Sequence, residues 1–156
     1  MADIISQQIS ENIKTALGAL STYGGTPTVE RERSVLRISG RYPFIELSGP
    51  QIEVISRARG VDMCDLHYVA RYFVDTNDDN TTSDGEITYL TRNVSGDIIK
   101  KLMEDTDRGD LAEYTFIDEC GYGFDVDEAA NVVIYYVAVA FHVHARIDST
   151  NPYNQG

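Results

Sequence analysis

The stretch VVIYYVAVAFHVHARI, residues 132–147, decides the fold. Taken at every second residue it offers Val133, Tyr135, Val137, Val139, Phe141, Val143, Ala145 and Ile147 to one side, a period of two that belongs to a strand and that no helix could bury on one face. The alternate residues begin apolar, with Val132, Ile134, Tyr136, Ala138 and Ala140, and end as His142, His144 and Arg146. The first half therefore asks for cover on both faces and the second half for cover on one. At about 3.3 Å per residue such a strand spans roughly 50 Å, whereas a domain of this length has a radius of gyration of about 15 Å. The expectation is that a bulge bends it, or that its end leaves the domain to meet another chain.

The chain has 156 residues, enough for one domain with an ordinary core. Hydrophobic residues at 42% and charged residues at 24% are globular values. A net charge of −12 argues against binding through phosphate backbones, which needs lysines and arginines to displace counterions. Sequence-specific nucleic-acid binding is not expected. Cys64 and Cys120 are too few for a disulfide framework, and no apolar run is long enough for a membrane-spanning helix. The expectation is a soluble protein with no membrane partner.

Asp3 is placed to cap a first helix carrying Ile5, Ile9, Ile13, Leu17 and Leu20 at helical spacing, ending at Gly24-Gly25. An extended segment, Thr28 to Arg41, follows with Arg31, Arg33, Arg37 and Arg41. It reads as a charged edge strand that blocks unwanted pairing, or as a docking strip for an acidic neighbour. A short strand from Phe44 to Leu47, ended by Ser48-Gly49-Pro50, precedes a meander: Ile52 to Ala58, a turn at Gly60-Val61-Asp62, and a central strand from Cys64 to Val74. Ser83 and Glu86 at capping-box spacing open a second helix with Ile87, Leu90, Val94, Ile98 and Leu102 as its stripe. Asp107 to Asp110 is a turn, Leu111 to Glu119 a strand, and Gly121 to Ala130 a connection into the last strand. The fold class is α+β: an antiparallel β-sheet, two amphipathic helices on one face, and a long C-terminal strand. Residues 1–147 form a single domain, and residues 148–156 a polar C-terminal tail.

Two constellations could carry chemistry. Asp75, Asn77, Asp79, Ser83 and Glu86 fall at EF-hand ligand positions. Asn80 stands where glycine is expected, however, and a strand leads into the loop. His142 and His144 share one strand face, a spacing from which two imidazoles can converge on a metal. His67 is the third histidine, and no carboxylate partner is evident from sequence. The reading adopted is a half-wet polar face with no metal and no cofactor. There is no nucleophile elbow, phosphate-cradling glycine loop, paired-cysteine zinc site or HExxH, so no enzyme is expected. The alternative function is a calcium- or metal-binding module using the acidic loop 75–86.

The N-terminal amphipathic helix, the arginine segment before Pro43-Phe44-Ile45-Glu46-Leu47, the second helix, and the ending Val137-Ala-Val-Ala-Phe141-His-Val143-His-Ala-Arg146 with Asn151-Pro152-Tyr153 resemble the tail terminator (tail completion) proteins of long-tailed bacteriophages. The resemblance implies a virion subunit made in the host cytoplasm. It implies assembly as a homo-oligomer, usually a hexameric ring, that caps the tail tube protein and joins it to the head-side connector or neck protein. The long acidic loop Asp75 to Asp84 and the extended last strand pair depart from the family pattern. Within this reading the expected interface residues are Arg31, Arg33 and Arg37 on the basic strip, and Tyr136, Ala138 and Ala140 on the last strand's second face. An overlong strand, apolar on both faces at its start, suits pairing or packing between subunits.

Overall fold

The computed structural model describes residues 4–21, 26–31, 44–75, 93–127 and 132–155, with backbone alone at 74–75, 125–127 and 132–134. Helix α1 (Ile5–Gly18) is followed by strands β1 (Thr28–Arg31), β2 (Phe44–Ala58) and β3 (Val61–Asp75). Helix α2 (Ser95–Met103) leads to β4 (Tyr114–Asp127) and β5 (Val132–Asp148). The five strands form one sheet in the order β1-β2-β3-β5-β4. Every pairing is antiparallel except β1 with β2, which is parallel.

The period-two pattern places β5 as expected. Val137, Val139, Phe141, Val143 and Ala145 are all buried, facing the same core as Cys64, Leu66, Tyr68, Ala70 and Tyr72 of β3. Ile5, Ile9, Ile13 and Leu17 of α1 cover this face together with Val94, Ile98 and Leu102 at α2, so both helices lie on one side of the sheet. The strand stays within the domain, and its ladder with β3 runs without a bulge. Its 17 residues are matched by 15 in β3 and 14 in β4, and β5 pairs with β3 from Ile134 to Asp148 and with β4 from Val132 to His144. A long strand is stable when its neighbours are equally long, because each residue added also adds ladder hydrogen bonds.

Several boundaries differ from the sequence expectation. Phe44–Leu47 and Ile52–Ala58 are one strand, β2, continuing past a cis Gly49–Pro50 bond by an irregularity between Ser48 and Gln51. A bulge lets a strand absorb residues that cannot join the ladder. The β2–β3 turn is Arg59-Gly60, both at positive φ (53° and 77°), the two-residue geometry whose twist matches antiparallel strands. The region read as a connection, from Gly121, is strand as far as Asp127. Gly123 pairs with Tyr136, whose ring occupies the space a Cβ would need. The strand read from Leu111 begins at Tyr114, since the preceding turn is held by Ala112 N–H donating to Asp107 O at 2.8 Å.

Helix α1 ends at Gly18, short of Gly24-Gly25, which with Asp3 lies outside the described residues. Its first turn has no side-chain cap. Instead the Ile5 N–H donates to Pro152 O at 3.0 Å, so the polar tail folds back to satisfy an amide that the helix itself leaves open. Arg108, fully buried, donates to the Leu102 carbonyl near the end of α2. Burial pushes its guanidinium pKa down, against the upward pull of Asp105 and Asp107.

Candidate functional site

The face of the sheet opposite the helices carries the odd residues of β3 and the even residues of β5. Antiparallel register sets His67 directly opposite His142 and His142 opposite Phe116 of β4, and directly opposed residues are the closest side-chain neighbours a sheet offers. The three rings form a row. His67 and His142 stack with centroids 4.5 Å apart and 15° between planes, and Phe116 lies on the other side of His142 at 5.0 Å and 5°. His144 meets the same Phe116 edge-on at 84°.

Two carboxylates flank the row. Asp65 approaches His142 Nδ1 with both oxygens, at 2.9 and 2.8 Å, and one of them is 3.5 Å from His144 Nε2. Asp118 Oδ2 lies 3.3 Å from His142 Nε2. Asp118 stands where the β4–β5 register slips between Ile117 and Glu119, and the slip re-aims its side chain toward the histidine. His67 Nε2 is buried without a hydrogen-bond partner. Ligand atoms of His67, Asp118 and His142 all lie within 4.8 Å of one another. This arrangement can hold a proton or a metal ion between nitrogen and oxygen lone pairs.

The expected pair, His142 with His144, is thus not the closest grouping, because residues two apart on one strand are separated by two rises whereas His67 is an immediate neighbour across the ladder. The carboxylates that sequence left unassigned are Asp65 and Asp118. Sequence carried no signal for them: the pairing that sets Asp65 and His67 opposite His144 and His142 joins β3 to β5, strands distant in the chain whose register no tight turn fixes.

Of the expected interface residues, Arg31 is already engaged within the chain. It donates to Gln7 Oε1 at 2.8 Å and to Gly49 O at 3.0 Å, with Glu11 Oε1 at 3.9 Å. Tyr136, Ala138 and Ala140 are half-buried on the helix-free face. Strand β5 has a neighbour on each side, which corrects the expectation that it could pair with another subunit edge to edge. Arg33, Arg37, Asn77, Asp79, Ser83 and Glu86 lie outside the described residues, and Asp75 ends β3.

Unpaired edges lie elsewhere. Among the described residues, β2 has a strand on its outer side only along Phe44–Leu47, leaving that edge open from Gln51 to Ala58. Among the same residues, strand β4 has no outer partner along its length. These two strands also carry most of the exposed large apolar side chains: Ile52, Val54 and Ile55 on β2, and Tyr114, Tyr122 and Phe124 on β4.

No protein-family model matches the chain, and no curated protein matches its sequence. No helix among the described residues is long and apolar enough to cross a membrane.

Proposed function

We propose that this chain is a structural virion protein, the subunit of a tail terminator ring that caps a bacteriophage tail tube and joins it to the head-side connector. The observation that carries the reading is the pair of strand edges, open among the described residues, at opposite sides of one sheet, each lined with exposed apolar residues. Edges of a monomer are ordinarily blocked by charge, proline or a covering element; β2 carries Pro50, Glu53 and Arg57 and β4 carries Asp118 and Glu119, yet both strands also expose large apolar side chains. Two different open edges on one subunit make a head-to-tail interface, and such an interface generates a ring when its rotation closes. The edge of β2 from Gln51 to Ala58 meeting β4 of the next copy would continue the sheet from subunit to subunit. Hexameric stoichiometry, and the tube and connector as partners, come from the resemblance in element order, arginine segment and terminal strand.

The acidic composition fits a lumen through which DNA passes without adhering, since like charges gain nothing from counterion release. The reading assigns no catalysis. Mass in solution together with electron micrographs of the particles tests it: a closed ring is expected, and a monomer at high concentration would remove its basis. In infected cells lacking the protein, tails should be overlong or fail to join filled heads. Tails of normal length, normally joined, would rule the role out.

A further inference from the structure

Three electron-pair donors converge on the helix-free face. A carboxylate accepts, so in the tautomer that donates Nδ1–H to both Asp65 oxygens the His142 Nε2 is left bare. That bare nitrogen faces the Asp118 carboxylate at 3.3 Å. Two lone pairs directed at each other repel unless a positive centre, a proton or a metal ion, lies between them. His67 Nε2, buried and without a hydrogen-bond partner, stands beside the same gap. Among the described residues, neither Asp65 nor Asp118 has a lysine or arginine within ion-pair distance; their partners are His142 and His144.

We propose that His67 Nε2, His142 Nε2 and Asp118 Oδ2 bind a divalent transition-metal ion of the zinc type, with Asp65 orienting His142 as its carboxylate partner. Two imidazoles and one carboxylate suit zinc and its first-row neighbours better than calcium or magnesium, which prefer oxygen ligands throughout. Zinc–ligand distances of about 2.0–2.1 Å place neighbouring ligand atoms of a tetrahedral shell about 3.3–3.4 Å apart. The His142–Asp118 pair already has that spacing. His67 is the ligand that must move, because a ring stacked 15° from parallel to His142 cannot aim its in-plane lone pair at an ion held in the plane of His142, so binding requires it to turn about its side-chain bonds. A metal-bound imidazole characteristically gives its other N–H to a carboxylate, which fixes the tautomer and raises its basicity. Asp65 does this for His142. Asp118 is exposed, so the ion enters from solvent and water completes the shell. The three ligands come from β3, β5 and β4, and the ion ties these strands together. The site does not depend on the ring reading and would exist in a monomer.

Calorimetric titration of the purified chain with zinc, and visible spectroscopy with cobalt in its place, test the assignment. One ion per chain is expected, with the absorption bands of four-coordinate cobalt. His67→Ala and Asp118→Asn should each weaken binding by about tenfold or more, and Asp65→Asn by about 10–100-fold through loss of orientation. His144→Ala should weaken binding less than His67→Ala, because His144 touches the orienting Asp65 and is not itself a ligand. Asp118→Asn alters an exposed side chain, so its result does not turn on whether a buried-face variant folds. Absence of stoichiometric zinc binding would overturn the proposal, as would binding that survives both His67→Ala and Asp118→Asn. Loss in His144→Ala equal to that in His67→Ala would do the same, by moving the site to the same-strand pair. If a proton alone fills the gap, zinc leaves the ring resonances of His67 and His142 unmoved, and the metal assignment fails.

Discussion

Ser10 of α1 and Tyr68 of β3 share a buried hydrogen bond of 2.9 Å, joining the helix to the middle of the sheet. The Ser10 hydroxyl donates to Ser6 O at 2.8 Å, so the phenol is the donor between the two side chains. Burial pushes the Tyr68 pKa up to about 12, against smaller downward pulls from Ser10 and Arg31. The neutral phenol is the form the fold accepts. Stability from this group is therefore complete below about pH 10 and is lost as pH rises from there towards about 12, where the unfolded chain ionises first. A fall on the order of 2–3 kcal/mol is expected across that window. Urea midpoints measured across it should drop in the wild type and drop less in Tyr68→Phe.

Arg31 gives a second test, because its internal partners compete with any role in docking. Removing a charged donor that serves Gln7 and Gly49 O should cost about 1–3 kcal/mol in Arg31→Ala, read from chemical denaturation of the isolated chain. Stability unchanged within error would mean that these bonds contribute nothing net, leaving Arg31 available for contacts with an acidic neighbour. Charge reversal at Arg33 and Arg37 is then the cleaner probe of docking, expected to give a salt-sensitive loss of attachment.

The two faces of β5 make opposite predictions. Val137 is 2% exposed among core side chains, and lysine there must bury a charge without a partner, so Val137→Lys should fail to fold. Ala140 is half-buried on the helix-free face. A lysine stem can lie along that face with its ammonium in water, and Ala140→Lys should fold with near-wild-type circular dichroism. Equal damage from the two substitutions would contradict the assignment of faces.

These faces were legible in the sequence because alternation along the whole of residues 132–147 leaves one solution, and α1 and the end of α2 were legible because Ile5, Ile9, Ile13 and Leu17, and Val94, Ile98 and Leu102, repeat at helical spacing. What alternation cannot give is which residue stands opposite which. The pairing of His67 with His142, and the approach of Asp65, depend on the register of β3 against β5, strands distant in the chain that no hairpin turn connects. The strand from Gly121 to Asp127 was read as a connection because glycines and acids dominate it. It is a strand because it pairs with β5 from Ala138 to Val132, with the Tyr136 ring over Gly123, a tertiary pairing that local propensity does not contain. Gly49-Pro50 read as a stop for a similar reason, since proline lacks the ladder donor, and the irregularity between Ser48 and Gln51 carries the strand past it.

The open edges yield the last prediction, which separates assembly from folding. Tyr122 and Phe124 on β4 are 65% and 63% exposed, and Ile52 on β2 is 49% exposed. None of them is a core residue of the isolated chain, so Tyr122→Lys and Ile52→Lys should change unfolding free energy by less than about 0.5 kcal/mol. If β2 of one copy pairs with β4 of the next, each edge occurs once in every interface of the ring, and either substitution weakens all of them. A charge at an edge also opposes strand addition directly. Both variants should therefore sediment as folded monomers, with normal circular dichroism, at concentrations where the wild type is a ring. Mixing the two variants should not restore closed rings, since a ring that uses both edges of every subunit requires both to be intact. Recovery of rings from the mixture, or rings formed by either variant alone, would show that subunits meet through another surface. The half-buried helix-free face around Ala138 and Ala140 would then be the surface to mutate next.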